Sequence, residues 1–345
     1  MRMDDLNLTG RDRMKDAQWA MMADGGPGDA RGGPGVSVEL LLATHNSAAF
    51  LRPLLESLVR QSFADFQLVV SDDCSTDETV AVLQEFAGRF QHPVQITLRD
   101  KASGSAKANF AGLLQDSRAE FVFFCDADDV WHPDKLETFL RRALAMQAEI
   151  GPDVPLFLFS DATIINESGA ALNQSYWEFK KTDPARCHRL ARLLVCTPMI
   201  GCATLMNRAL VQLARDVPVD KVTGHDWWAL LVAACFGRVD FLPERTVSYR
   251  LHGSNSSKPL RVSLRGMFGM AHWRHEMTRR MTIRQVQAQS LLDAFGARLP
   301  EDVRAELSRF VAMGQQSFLI RRMTMMRYGY TFPDWRRNAG LFLFG

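Results

Sequence analysis

Three apolar runs in the first 125 residues each stop at a polar cluster, and this repetition limits the fold more than any other feature. Val36 to Ala43 ends at Thr44-His45-Asn46-Ser47, and Phe66 to Ser71 ends at Asp72-Asp73-Cys74-Ser75-Thr76-Asp77. Glu120 to Cys125 ends at Asp126-Ala127-Asp128-Asp129. Helical spacing fills the gaps. Leu51, Leu54, Leu55 and Leu58 repeat at i, i+3, i+4, i+7, the mark of an amphipathic helix. Ser75 and Glu78 have capping-box spacing before a helix carrying Val82, Leu83 and Phe86. Val94 to Leu98 reads as a further strand and Ala106 to Gln115 as a helix. Such alternation predicts an α/β fold, a largely parallel sheet covered by helices on both faces. Ligands of these sheets bind beyond the carboxyl ends of the strands, so the three polar clusters are expected to share one crevice.

The pattern continues with a helix from Pro133 to about Gln147, a strand at Leu156 to Phe159 and a turn at Asn166 to Gly169. Beyond Lys258 only helical periodicity remains, as in Val303, Leu307, Phe310, Val311 and Phe318. Residues 1–35, with glycines at 25, 26, 28, 32, 33 and 35 and few large apolar residues, read as a flexible leader. The expected division is therefore 1–35 leader, 36–257 α/β domain and 258–345 helical extension.

At 47% hydrophobic over 345 residues, the chain has enough apolar material for a large core. Charge is nearly balanced overall but unevenly placed. Residues 258–345 hold 15 basic and 6 acidic residues, a net of +9, against −7 for everything before them. This suggests an acidic working domain followed by a basic tail facing phosphates, headgroups or an acidic partner. The longest polar-free run in the body of the chain, Trp227 to Phe236, is ten residues, against roughly 20 for a membrane span. The N-terminal residues include Arg2, Asp4, Asp5 and Arg11 without an apolar segment, so no secretory signal is expected. Six cysteines occur singly, without zinc spacing, as expected in a reducing cytoplasm.

Chemistry concentrates in the polar clusters. Asp126, Asp128 and Asp129 place three carboxylates within four positions, which is costly unless a cation sits among them. Oxygen ligands suit Mg²⁺ or Mn²⁺; the plain alternative is an acidic turn capping the next helix. At the second cluster, a strand-end carboxylate can accept from the imide N–H of uracil or thymine, or simply cap a helix. In Gly224-His225-Asp226-Trp227-Trp228, Asp226 is a candidate general base, and the tryptophans offer faces of the kind sugars stack on. Alternatively, Asp226 stands at a helix start and the tryptophans in the core. His252 is a candidate ligand or phosphate contact.

Taken together, Leu42-Ala43-Thr44-His45-Asn46, the 71–77 cluster, Asp126-Ala127-Asp128-Asp129 and His225-Asp226-Trp227-Trp228 resemble glycosyltransferase family 2 in order and spacing. The likeness runs from about Val36 to Ser257. Its later half is similar to the rhamnosyltransferase-type members, through Phe159-Ser160-Asp161, Ser175-Tyr176-Trp177, Gly201-Cys202, Asn207-Arg208 and Tyr249-Arg250-Leu251-His252-Gly253-Ser254-Asn255.

The resemblance implies a GT-A fold and inverting hexosyl transfer from a dTDP- or UDP-linked sugar, rhamnose among the candidates. The acceptor would be a glycan or lipid-linked, in polysaccharide biosynthesis. It implies Asp73 on the base with Thr44 lining the same pocket, Lys107 and Asn109 near the nucleotide, and Asp126 on ribose or metal. Asp128 would hold Mg²⁺ or Mn²⁺, Asp226 would be the base and Trp227 would touch substrate. Lys107 stands where many members have Arg, leaving a point charge in place of a bidentate fork. His225 and His45 replace the commoner Glu and Tyr.

Arginine pairs interleaved with Met, Tyr, Trp and Phe after Phe318 suit peripheral contact with the inner face of the cytoplasmic membrane. The alternative has these aromatics pack back on the catalytic domain. No nucleic-acid motif accompanies the charge. Two other functions fit parts of the pattern. Asp126 could be the nucleophile of a haloacid-dehalogenase-type phosphatase, although its strand is the fourth and not the first. A non-catalytic nucleotide or sugar binder would have no need of Asp226.

Overall fold

The computed structural model describes residues 36–186, 189–253, 269–332, 338, 341 and 342. The leader, Cys187, Ser254-Asn255, the 257/258 boundary, Trp335, Arg336, Arg337, Leu343 and Phe344 lie outside the described residues.

The first half follows the sequence pattern closely. β1 (Val38–Thr44), α1 (Ala48–Val59), β2 (Gln67–Asp72), α2 (Thr79–Ala87), β3 (Gln95–Leu98), α3 (Ala106–Asp116) and β4 (Phe121–Asp126) alternate. The sheet order β3-β2-β1-β4 is parallel throughout. Leu51, Leu54, Leu55 and Leu58 are the buried face of α1. Leu40, Leu42, Phe121 and Phe123 face the same core, while Leu41, Val122 and Phe124 join the core on the opposite side. Both faces of the parallel strands are thus apolar, which explains their nearly unbroken hydrophobic runs.

One local expectation is corrected. Ser75 does not cap α2; its hydroxyl donates to Asp72 Oδ2 (2.6 Å), and Asp77 accepts from Thr79 N (3.0 Å). The Asp72 carboxylate, facing the same loop, offers Ser75 a stronger, charged acceptor.

The second half departs from a mostly parallel sheet. After β5 (Val130–Trp131) and α4 (Lys135–Ile150) come β6 (Leu156–Ile165), β7 (Ala171–Ser175), α5 (Tyr176–Lys180) and α6 (Leu190–Leu193). β8 (Thr204–Asn207), α7 (Arg208–Ala214), α8 (His225–Phe236) and β9 (Arg238–Arg250) follow. β8 runs antiparallel to both β4 and β6, β6 is parallel to β9, and β5 and β7 are antiparallel to their neighbours. The result is a mixed nine-stranded sheet.

The turn from α8 into β9 depends on Gly237. A Cβ there would lie 1.9 Å from Pro155 O, and that same carbonyl accepts Arg238 N (2.8 Å) at the start of the β6–β9 pairing. The obstacle is backbone held in a ladder, so it cannot step aside. Gly237→Ala is expected to cost about 3 kcal/mol or more, read as the loss in urea-unfolding free energy. A change within about 0.5 kcal/mol, as at ordinary surface sites, would contradict this packing.

The C-terminal helices are α9 (Gly269–Phe295), α10 (Glu301–Ala312) and α11 (Phe318–Tyr328). They share the core of the α/β region, and Val36–Gly345 forms one compact unit. Trp228 stacks on Phe295 with ring centroids 6.1 Å apart, and Phe236 meets the same ring edge-on at 4.9 Å. Met277, Met281, Leu291, Phe310 and Met325 join that cluster. Tyr330 is fully buried, and Phe332 and Leu341 are buried beside it.

Candidate active site

Strand pairing brings the polar clusters together. Thr44 lies opposite Asp72 in the β1–β2 register, and Ala43 opposite Asp126 in β1–β4. Asp73 and Asp126 therefore stand at one sheet edge, two strand spacings or roughly 10 Å apart.

The loop after β2 is tightly hydrogen-bonded. Asp72 accepts from Thr44 Oγ1 (2.8 Å), from Ser75 N (2.9 Å) and from Ser75 Oγ. Thr44 is thus buried and spends its hydroxyl on Asp72. Asp73 accepts from Ser103 N (2.6 Å) and Ser103 Oγ (2.8 Å), with Arg99 Nε 3.4 Å away. His45 Nδ1 lies 2.7 Å from Asp73 O. Lys107 Nζ donates to Val222 O (3.1 Å), in the loop leading to Asp226. Asn109 is buried, its amide donating to Ser71 O (2.9 Å). It braces the end of β2, and its Oδ1 is buried without a hydrogen-bond partner.

At the end of β4, Asp126 is half-buried, and burial together with Asp128 and Asp226 pushes its carboxyl up to about 7. Asp128 Oδ2 is 2.7 Å from His252 Nε2, and the His252 ring lies against Phe50 at 4.8 Å. Asp129 is fully buried, accepts Arg250 N on Oδ1 (2.9 Å) and leaves Oδ2 without a hydrogen-bond partner. It therefore caps no helix. Burial and the neighbouring carboxylates raise its pKa well above the usual range.

Below the cluster, Lys135 is fully buried, donates to Cys202 O and lies 3.1 Å over the Trp131 ring. Burial lowers it to about 7. One ligand atom each from Asp126, Asp129 and Cys202 lies within 4.8 Å of the others. Sequence reasoning gave no site role to Lys135, Cys202 and Ser103, because only the fold brings them to this edge.

Asp226 stands in the first turn of α8 and accepts from Trp227 N (2.8 Å). His225 stacks on Phe110 at 4.2 Å and meets Phe124 edge-on at 4.4 Å. Burial lowers its pKa to about 4, so the ring is neutral. Trp227 is only 6% exposed and donates to Leu193 O (2.8 Å). The structure makes it a core group, not a platform for sugar, because the amphipathic ring finds both apolar contact and an acceptor inside.

The loop before α8 is held from the C-terminal region by Gln287 Oε1, which accepts Thr223 N (2.7 Å). A Cβ on Gly224 would lie 2.4 Å from Asp226 Oδ1. The obstructing atom is the tip of a side chain, so the fold can absorb the substitution while the carboxylate moves. If Asp226 is the base that the motif implies, Gly224→Ala is expected to reduce turnover at least tenfold, since small misplacements of reacting groups are expensive. Its melting temperature should stay close to wild type. Unaltered turnover would mean that the position of Asp226 is immaterial.

The fold is that of the GT-A glycosyltransferase structures. Residues 40–151 match the family model "Glycosyl transferase family 2", and the chain carries a glycosyltransferase domain of that family. The relatives include dTDP-rhamnosyl transferase RfbG of Shigella flexneri, 23% identical over 248 residues, 69% of this chain and 82% of the relative. They also include poly(ribitol-phosphate) beta-N-acetylglucosaminyltransferase TarS of Staphylococcus aureus, 33% identical over 147 residues. That match spans 42% of this chain but only 23% of TarS.

Among solved structures, S. aureus TarS 1-349 in complex with UDP superposes with TM-score 0.50 at 17% identity, covering 81% of this chain and 71% of that one. Mannosyltransferase PcManGT from Pyrobaculum calidifontis, in complex with GDP-Man and Mn²⁺, gives TM-score 0.51 at 16% identity, covering 92% and 80%. At these identities the structures establish the fold. With the acidic motif on β4 and the domain matching a glycosyltransferase model, the phosphatase alternative has no support.

Proposed function

We propose that the protein is an inverting, metal-dependent glycosyltransferase of polysaccharide biosynthesis, moving a sugar, rhamnose foremost, from a dTDP- or UDP-linked donor. The acceptor is a glycan or lipid-linked glycan, reached on the cytoplasmic side through peripheral membrane contact by the C-terminal region. The rhamnosyl reading draws on the RfbG likeness over most of both chains. The observation that supports the reading best is the acidic Asp126-Ala127-Asp128 motif at the carboxyl end of β4, inside the segment that matches a glycosyltransferase family 2 model.

In this reading Asp73 meets the base edge, with Thr44 and Asn109 bracing that pocket and Lys107 linking it to the Asp226 loop. Asp226 takes the proton of the acceptor hydroxyl as its oxygen attacks the anomeric carbon. Attack opposite the departing diphosphate inverts the centre in one displacement.

The donor set fits a hard divalent cation: three carboxylates, one with an unpartnered buried oxygen, and His252. Asp128 and Asp126 would hold Mg²⁺ or Mn²⁺, with His252 beside them, and the ion would neutralise charge on the leaving diphosphate. The test is release of nucleoside diphosphate from a panel of nucleotide sugars, with and without cation. Absence of release from every dTDP- and UDP-sugar, with acceptor present, would remove the proposal.

A pH dependence follows. The Asp126 proton, held up to about pH 7 by burial and neighbouring charge, competes with a cation for the same oxygens. Below that pH the proton occupies the site; above it the carboxylate is free. The rise in melting temperature on adding Mn²⁺ should therefore grow between pH 6 and 8, and Asp126→Asn should flatten the increase. A Mn²⁺ effect independent of pH would exclude Asp126 as a ligand.

A further inference from the structure

α11 has two faces of opposite character. Its inner face is fixed: Arg322 Nε donates to Phe342 O (2.7 Å), Met325 is fully buried, and Thr324 Oγ1 donates to Gln316 Oε1 (2.8 Å). Arg321 donates to Gly314 O and Gln316 O, both at 3.2 Å. The helix cannot roll to bury its other side. On that side Leu319, Met323 and Met326 are 71%, 58% and 64% exposed. Their i, i+4, i+7 spacing sets them in one stripe, with exposed Phe318 and Ile320 flanking it. Soluble surfaces seldom expose so many large apolar side chains together without a partner.

We propose that this face of α11 docks on an anionic lipid surface. The helix has no acidic residue and one exposed arginine, Arg327, and the 88 residues from Lys258 onward carry a net charge of +9. Exposed Arg327 sits at the edge of the stripe, where it would meet headgroups while the apolar residues enter the acyl boundary. A second copy of the chain is a poorer occupant. Two-fold pairing would bring Arg327 of each copy to the same contact, with no carboxylate on the helix to compensate. Eleven residues make a helix of roughly 16 Å, long enough to lie in the interface. Among the described residues, no helix is long and apolar enough to cross a membrane.

The inference narrows the peripheral contact proposed above to one surface and is independent of donor identity. It also changes the informative variant. Deleting the tail would remove Met325, Tyr330 and Leu341 from the core, whereas the stripe is already in water.

Full-length protein is sedimented at low salt with vesicles of phosphatidylcholine alone, or of three parts phosphatidylcholine to one part phosphatidylglycerol. Wild type is expected to bind the anionic vesicles only. The triple variant Leu319→Gln, Met323→Gln, Met326→Gln is expected to bind at least roughly tenfold more weakly, with nucleoside diphosphate release unchanged. Arg327→Glu alone should also weaken binding, which keeps a test if the triple variant folds poorly. Wild type that ignores both vesicles overturns this inference together with the peripheral contact. Equal binding by wild type and both variants overturns the surface but leaves the membrane contact standing. A wild-type dimer that the triple variant converts to monomer overturns it in favour of a second copy.

Discussion

Asp226→Asn is expected to lower turnover roughly 10²–10⁴-fold, the range for loss of a general base, with nucleotide-sugar binding largely retained. Asparagine has the same shape, and its amide oxygen can still accept Trp227 N, as Asp226 Oδ1 does at 2.8 Å. The first turn of α8 should therefore survive. What disappears is the capacity to take a proton from the acceptor hydroxyl. Binding is read by calorimetry with a nucleotide sugar that releases diphosphate in wild type, and turnover by diphosphate release with acceptor present. Gly224→Ala is the useful companion, because it keeps the carboxylate but moves it. If Asp226→Asn turns over as wild type does, Asp226 is a helix-start residue and nothing more.

The sequence made the first half of the molecule legible because its strands are buried on both faces. Runs such as Phe121-Val122-Phe123-Phe124-Cys125 announce themselves without needing alternation, and each ends at the residues that carry chemistry. The same logic put Asp126 and Asp128 at the end of a strand, whereas Asp226, at a helix start, was legible only through the motif it shares with a family. That logic failed where pairing is antiparallel and elements are short. β8 has four residues and β5 two, too few to display a period.

It failed again where side chains satisfy one another across long separations. Ser75 has the local spacing of a cap, yet the Asp72 carboxylate takes its hydroxyl. Asn109 and Trp227 match substrate positions by motif, yet each donates its N–H to a buried backbone carbonyl. Lys135 reads as an ordinary surface residue of an amphipathic helix. Only the fold shows it enclosed by Trp131 and the Cys202 carbonyl, near Asp126 and Asp129. In its protonated form Lys135 offsets part of the repulsion that the acidic cluster creates.

Asp128→Ala is expected to abolish both activity and the response to Mg²⁺ or Mn²⁺, a loss at least as large as that of Asp226→Asn. Asp128 is the carboxylate whose oxygen reaches His252, at 2.7 Å, and its backbone carbonyl accepts Arg250 Nε, also at 2.7 Å. Alanine keeps the backbone contact and so should keep β9 in register. The side chain is partly exposed, so its loss opens no large cavity and a cooperative unfolding transition should remain. Mn²⁺-induced change in melting temperature separates ligation from catalysis. It should vanish in Asp128→Ala but persist in Asp226→Asn, whose carboxylate only raises the Asp126 pKa from nearby. Retained metal-stimulated activity in Asp128→Ala would move the ion to the deeper group of Asp126, Asp129 and Cys202. In that case the unpartnered oxygen of Asp129 becomes the ligand and Asp128 only a partner for His252. Asp129→Asn would then remove the thermal shift that Asp128→Ala had left intact.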